Sequence, residues 1–308
     1  MAGAPDAERE IDMSDSEPAR VQLSPCLLCG ATATSKVFAK RGWDFVRCGG
    51  CGLVSLSPLP TMAQLQQHHD ASYAAGAYAV YAAAEHIRIA IARHRLAAVR
   101  ALAPDGPWID VGCSTGSFMA QARGAGIEIE GLEMSAAAVE QARAQGLDAR
   151  QGTVETFVPA RRYAAITAFD FVEHLRDPVA FVRTAASWLV PGGVLVMTVP
   201  NIVSLSARVM RRHWYYYAVP DHLHYFTPTT VRRLLALAGL ADVTVRPASK
   251  PLTLEYAALA LAQFNPHLGR LARGLVGSCP RRLRARLWPL RVGEMTATGR
   301  RATMADRA

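Results

Sequence analysis

The sequence predicts an α/β protein: a doubly wound, mostly parallel sheet preceded by a small cysteine-bearing ribbon. Three observations carry this reading. From residue 108 onward short apolar runs alternate with helical patterns, the signature of strands covered on both faces by helices. A glycine-containing turn, WIDVGCSTGSFM, follows the first of these strands directly. Two Cys-x-x-Cys pairs precede the whole arrangement.

The elements follow in order. Trp108 to Val111 is a buried-type strand, Ile127 to Leu132 a second, Asp148 to Gln151 a weak third, Ala164 to Phe169 a fourth and Val194 to Val199 a fifth. Helical patterns at Phe118 to Ala125, Ala136 to Gln145 and Pro178 to Leu189 separate them. In such a sheet ligands bind at the C-terminal strand ends, which places the turn Gly112 to Gly116 in the binding crevice.

Composition bounds the function classes. A chain of 308 residues, 51% hydrophobic, has room for one large domain and a small module. Residues 1–20 hold six acids against Arg9 and Arg20 and no apolar run, so a disordered acidic tail is expected there, with no export signal. The uncharged stretch from Tyr256 to Phe264 is far short of the roughly 20 residues of a membrane span. A cytoplasmic protein is expected. The net charge of +9 is concentrated from Lys250 to Ala308, where eleven Lys or Arg face Glu255, Glu294 and Asp306. That tail is a solvated helical face or a surface for nucleic acid, anionic lipid or a phosphorylated substrate.

Cys26-Leu-Leu-Cys29-Gly30 and Cys48-Gly-Gly-Cys51-Gly52 lie 18 residues apart, a spacing that fits a tetrahedral structural zinc site within a ribbon at 21–58. Each pair is followed by glycine, which lets the chain turn tightly so that backbone N–H groups reach the sulfurs. All four positions would be filled by protein, so this zinc is structural. A disulfide pair is the alternative, disfavoured in a cytosolic chain. Cys113 and Cys279 are left unbonded. Residues 59–105 read as a helical linker dotted with Tyr73, Tyr78, Tyr81, His68, His69 and His86. The core is expected at 106–248, and a basic helical insertion with a final strand at 249–308.

Gly112 and Gly116 let backbone approach a ligand, and Asp110 sets a carboxylate beside it. The turn lacks the third glycine of a dinucleotide fingerprint and the Gly-Lys-Ser/Thr of a phosphate loop. The second strand ends Gly131-Leu-Glu133-Met134-Ser135, and Glu133, 21 residues after Gly112, is placed to accept hydrogen bonds from ribose hydroxyls. An adenosine that is cationic and carries no phosphate fits this set, and S-adenosylmethionine (SAM) is such a ligand.

At these residues the chain resembles class I SAM-dependent methyltransferases. Asp110-Val-Gly-Cys-Ser-Thr-Gly116 is similar to their D-x-G-C-G-x-G loop, and Phe169-Asp-Phe-Val-Glu-His174-Leu-Arg-Asp-Pro178 resembles their V-x-E-H-x-x-D-P segment. Leu189-Val-Pro-Gly-Gly193 with Val199-Pro-Asn201, and His222-Leu-His-Tyr-Phe-Thr-Pro228 with Ala238-Gly239, match further segments. The resemblance implies a Rossmann-like seven-stranded sheet whose last two strands, Asp242 to Arg246 and Glu294 to Arg300, pair antiparallel. It implies a SAM site of Asp110, Gly112, Cys113, Ser114, Gly116, Glu133, Met134, Thr153, Val154 and Phe169, with Tyr73 reaching in from the linker. A zinc ribbon ahead of such a domain is similar in layout to sugar C-methyltransferases, though at this length their extra C-terminal domain is not expected. Ser114 and Ala164 depart from the family, which has glycine and aspartate there; Ser114 is compatible with SAM if its φ stays negative.

Methyl transfer needs the nucleophile held in line and its proton removed. His222 is the first candidate base and His224 the second, with Asp221 and Tyr225 completing a pattern that the sugar C-methyltransferases associate with proton abstraction, and His174 at the crevice edge. The expected function is methyl transfer from SAM to a small molecule: a sugar, cell-envelope or natural-product intermediate. Two alternatives stay open: an RNA methyltransferase gripping its substrate with ribbon and tail, and a non-catalytic SAM-fold binding protein. The ribbon's few basic residues (Lys36, Lys40, Arg41, Arg47) argue against nucleic acid. Residues 252–290 form either a lid or a basic amphipathic contact with the inner membrane face.

Overall fold

The structure, a computed structural model, describes residues 25–65, 67–68, 84–264 and 266–303. The expected acidic tail, His69, Tyr73, Tyr78 and Tyr81 lie outside the described residues.

The core is a seven-stranded sheet. Five strands are parallel: β4 (Trp108–Val111), β5 (Ile129–Glu133), β6 (Asp148–Gln151), β7 (Tyr163–Phe169) and β8 (Leu189–Pro200). Their spatial order is β6-β5-β4-β7-β8, extended by β13 (Glu294–Arg301) and β10 (Leu240–Pro247). β13 runs antiparallel to both β8 and β10, as the family resemblance implied.

Alternation along β8 shows why both faces are closed. Leu195, Met197 and Val199 enter one apolar cluster with Phe181, Val182 and Ala185 of α4 (Pro178–Trp188) and, beyond the short α5 (Leu205–Met210), Val231, Leu234 and Leu235 of α6 (Pro228–Ala236). Val194 and Val196 point the other way, into a cluster with α1 (Glu85–Arg100), α2 (Ser117–Gly124) and α3 (Ala136–Ala144). A strand buried on both faces reads as a continuous apolar run, which is how the sequence displays it. The largest difference from the expected strand boundaries is at β8, which begins at Leu189 and not Val194, because Leu189 pairs with Tyr163 before the register shifts. Pro191 and Gly192 occupy the irregular start of the strand.

The ribbon is a hairpin of β1 (Thr34–Lys40) and β2 (Trp43–Cys48), followed by β3 (Val54–Ser57). The Arg41–Gly42 turn has φ of 48° and 75°, the left-handed pair that a tight hairpin requires. The ribbon is not a separate bead. Its sheet takes a fourth strand from the core, β9 (His224–Tyr225), with Val54 opposite Tyr225 and Ser55 opposite His224. Leu28, Cys48 and Leu53 also enter the apolar cluster of α4 and α6.

Between β10 and β13 lie β11 (Lys250–Leu252), α7 (Leu254–Phe264), α8 (Pro266–Gly277), α9 (Arg281–Arg284) and β12 (Trp288–Leu290). β11 and β12 pair antiparallel and close this insertion at its base. Among the described residues no helix is long and apolar enough to cross a membrane.

Candidate active site

The glycine turn is built from the ends of β4 and β5. Gly112 and Cys113 donate their N–H groups to the Leu132 carbonyl at 2.8 and 3.3 Å, and Gly116 N–H donates to Cys113 O at 2.9 Å. Gly112 (φ 74°) has no room for a side chain, since a Cβ there would lie 2.6 Å from the Phe171 ring. At Gly116 (φ 81°) a Cβ would meet Leu147 at 2.3 Å. Both glycines are thus demanded by conformation and by space.

Ser114 corrects the sequence reading. Its φ is +49°, in the left-handed region, not negative. The turn keeps the geometry of a third glycine and bears the strain of a side chain there. Its N–H donates to Glu133 Oε2 at 3.0 Å, while Ser135 N–H donates to Oε1 at 2.9 Å. Glu133 is therefore fixed at the tip of β5, where a ribose would lie. Met134 is partly exposed beside it, and the Thr153–Val154 turn follows β6, held by Gly152 N–H donating to Glu133 O at 3.0 Å. Cys113 is buried against Gly131 and Met119, and burial pushes its thiol up, so it supplies backbone and packing.

Asp110 is buried at the end of β4 and accepts a 2.5 Å hydrogen bond from Thr167. Burial pushes its carboxyl up to about 7; the Thr167 hydroxyl and Arg95 pull against that shift.

Beyond β7 lies a charge cluster that sequence reasoning missed. Asp170 Oδ2 is 2.6 Å from Arg95 and 3.3 Å from Lys250, and Thr198 donates to Oδ1 at 2.8 Å. Lys250 also pairs with buried Glu294, which Tyr216 hydrogen-bonds. Burial opposes the Asp170 charge, yet Arg95 and Lys250 hold its carboxyl well below the usual range. The Asp170 and Glu294 carboxylates in turn keep Lys250 charged against the cost of burial. Next to this cluster is a cavity of about 420 Å³, roofed by α1 and floored by β8, β13 and β10. Phe169 lines it, its ring covered by the Arg95 guanidinium 4.5 Å from the centroid.

The histidines divide into two groups. Glu173, His174 and His222 come together, with the two rings 4.7 Å apart at 86°. His222 Nδ1 lies 2.9 Å from the Tyr216 carbonyl and His174 Nδ1 2.9 Å from that of Asp221. Asp221 also contacts His68 at 3.3 Å. Burial opposes its charge, but the His68 hydrogen bond and the neighbouring imidazoles keep its carboxyl low. Burial, reinforced by His174, pulls His222 down to about 3, so it is neutral at ordinary pH.

His224 and Tyr225 do not join them. Both are fully buried in β9. His224 Nδ1 accepts from Ser55 Oγ at 2.8 Å, and its Nε2 faces Arg176 O at 3.4 Å, so both ring nitrogens are used. The expectation that His224 or Tyr225 serves as a base fails on access: they pin the ribbon to the core.

The four cysteine sulfurs converge. Cys26 and Cys51 Sγ are 3.7 Å apart and Cys29 and Cys48 Sγ 3.4 Å, too far for S–S bonds and near the roughly 3.8 Å edge of a tetrahedral zinc–sulfur site. Gly50 N–H donates to Cys48 Sγ at 3.3 Å, and a Cβ on Gly50 would come within 3.1 Å of Cys29 Sγ. The donor set fits zinc.

Sheet order, glycine turn and acid-tipped second strand are those of a SAM-dependent methyltransferase fold. Residues 83–245 match the family described as "Methyltransferase domain", and the chain belongs to that family. It is 30% identical over 105 residues to a ubiquinone biosynthesis O-methyltransferase of Actinobacillus pleuropneumoniae, a match covering 30% of this chain and 45% of that protein. A ubiquinone biosynthesis O-methyltransferase of a Methylobacterium species is 27% identical over 151 residues, covering 44% and 61%. The chain thus spans about half the length of the curated relatives it matches. A SAM-dependent methyltransferase from Thermotoga maritima shares the fold, with a TM-score of 0.50 at 18% identity over 78% of this chain and all of that one.

Proposed function

We propose that the protein transfers the methyl group of SAM to a small hydroxylated acceptor. The observation that carries this is the crevice of Asp110, Gly112, Gly116 and Glu133 at the C-terminal ends of β4 and β5. In this reading Glu133 accepts hydrogen bonds from the ribose, Met134, Thr153 and Val154 flank the adenine, and Asp110 faces the cationic amino-acid part. When bound, SAM supplies an electrophilic methyl; the chain's residues orient the acceptor and receive its proton.

The acceptor side is the charge cluster and the Glu173–His174–His222 group beyond Phe171. A cavity of about 420 Å³ beside that cluster is the size of a small-molecule site. The relatives named for ubiquinone biosynthesis methylate an oxygen, which supports a hydroxyl acceptor. His222 is the group we place nearest the acceptor proton.

The four cysteines hold a structural zinc in this proposal, with the ribbon at 21–58 and the catalytic core at 106–248. The protein acts in the cytoplasm, and its residues 252–290 touch the inner membrane face. Exposed Leu268, Leu271 and Leu275 follow one another at helical spacing on α8, with exposed Arg270 and Arg273 between them, which supports the membrane contact.

Calorimetry with SAM and S-adenosylhomocysteine tests the reading. Binding is expected, weakened about 10- to 100-fold in Glu133→Ala, the loss of hydrogen bonds to one charged group. Absence of binding to either ligand by the wild-type chain defeats it. Labelled SAM incubated with cell extracts then identifies the acceptor.

A further inference from the structure

We propose that Glu173, His174 and His222 form a binding site for one divalent transition-metal cation, separate from the four cysteines. One carboxylate oxygen and one ring nitrogen from each histidine lie within 4.8 Å of one another. Two imidazoles and one carboxylate are a donor set suited to manganese, iron, cobalt or zinc, and three protein ligands leave positions open for other oxygens.

The tautomers are set for it. Each Nδ1 faces a backbone carbonyl, Asp221 O for His174 and Tyr216 O for His222, both at 2.9 Å. A carbonyl only accepts, so each Nδ1 carries the proton and each Nε2 carries the lone pair. A carbonyl that accepts from the far ring nitrogen fixes the orientation of a metal-binding histidine in this way.

Glu173 supplies the independent observation. Its side chain is 1% exposed, yet its Oε2 has no hydrogen-bond partner among the described residues. A buried carboxylate oxygen left without a donor is rare, and a bound cation explains it. The neighbouring cations are already engaged: Arg95 and Lys250 pair with Asp170 and Glu294. The turn is also rigid, with Leu223 N–H donating to Glu173 O at 2.8 Å and His174 N–H to Phe171 O at 3.1 Å. His174 is exposed, giving the ion a path and open coordination positions toward solvent.

The site lies two residues past Phe171, whose ring packs on Gly112. A cation there would take the acceptor's hydroxyl oxygen as a ligand and acidify it, the proton passing to solvent because the His222 Nε2 lone pair is then held by the ion; this consequence rests on the methyl-transfer reading above. The cation site itself does not.

The test uses the full-length protein with its cysteines zinc-loaded and no SAM. Manganese(II) is titrated and the loss of the free-ion signal followed by electron paramagnetic resonance; thiolates are poor ligands for manganese, so the ribbon does not compete. One bound ion per chain is expected, with affinity at least about 10-fold lower in Glu173→Gln and in His222→Gln. Electron spin-echo spectra of the wild-type complex should show nitrogen modulation from imidazole, which needs no variant to fold. No binding, binding unaltered by both substitutions, or a complex without nitrogen modulation overturns the proposal. SAM calorimetry on the same samples reports separately on the crevice.

Discussion

The backbone N–H of Ser114 donates to Glu133 Oε2 at 3.0 Å, joining the strained residue of the first turn to the acid of the second strand. With φ at +49°, Ser114 holds this contact in a conformation that costs an L-residue about 1–2 kcal/mol. Ser114→Gly removes that cost but adds unfolded-state entropy of roughly 0.5–1 kcal/mol. The net expectation is a gain of about 0.5–1 kcal/mol in urea unfolding, with SAM affinity equal or better. Ser114→Val, β-branched at positive φ, is expected to lose stability and SAM affinity together. A valine variant as stable as wild type would contradict the assigned backbone geometry.

Asp110 predicts a pH dependence. Its carboxyl, ordinarily near 3.8, is pushed up to about 7 by burial, so the folded state binds its proton more tightly than the unfolded chain does. Its contribution to stability is therefore fully present below about pH 4 and is lost as pH rises toward 7, by at most about 1.4 kcal/mol per pH unit. Urea unfolding of the ligand-free protein at pH 5.5 and 8 should show this loss in wild type and a smaller one in Asp110→Asn. SAM affinity should move the opposite way, strengthening through pH 7 as the carboxylate forms beside a cationic ligand. Identical pH profiles for wild type and Asp110→Asn would remove Asp110 from both accounts.

These two residues also show what local sequence can reveal. Asp110, Gly112, Gly116 and Glu133 were legible because strand ends and the glycine turn are read from adjacent residues. The sign of φ at Ser114 was not, since residue size alone does not reveal that the turn keeps its left-handed form. Arg95, Asp170, Lys250 and Glu294 come from four distant segments, and no short-range pattern announces their convergence. Asp170 and Glu173 did stand in the quoted Phe169-to-Pro178 run, a signal that could have been followed. His224 and Tyr225 misled for the same reason in reverse: polar and aromatic residues near a presumed pocket were taken from the surface by pairing with β3, about 170 residues earlier in the chain.

That pairing makes the ribbon a support for the Glu173 turn, the acceptor side in the proposed function. Removing zinc with a chelator under reducing conditions should loosen β1 to β3, and with them β9, which bonds to β3. The expected result is a fall in melting temperature of about 5 °C or more. SAM affinity should survive, because β4, β5 and β6 hold that crevice without the ribbon. Turnover should fall, since Leu223, just before β9, is bonded to Glu173. A chelated protein with unaltered melting would show that the cysteines hold no structural ion.

The insertion offers the last test. α8 packs closely on α7 at Gly269, where a Cβ would come within 2.3 Å of Ala262, yet Leu271 and Leu275 remain 62% and 66% exposed. Arg281, Arg282 and Arg286 are exposed in the segment that follows. Exposed leucines would enter the acyl boundary of a bilayer, and each nearby arginine would add about 1 kcal/mol on an anionic surface. Co-sedimentation should therefore show binding to vesicles containing anionic lipid, little binding to neutral ones, and a decline with salt. Leu271→Glu together with Leu275→Glu should abolish it while leaving SAM affinity intact, because neither residue lies near the glycine turn. Equal recovery with anionic and neutral vesicles would leave α7 and α8 as a cover over the core with no membrane role.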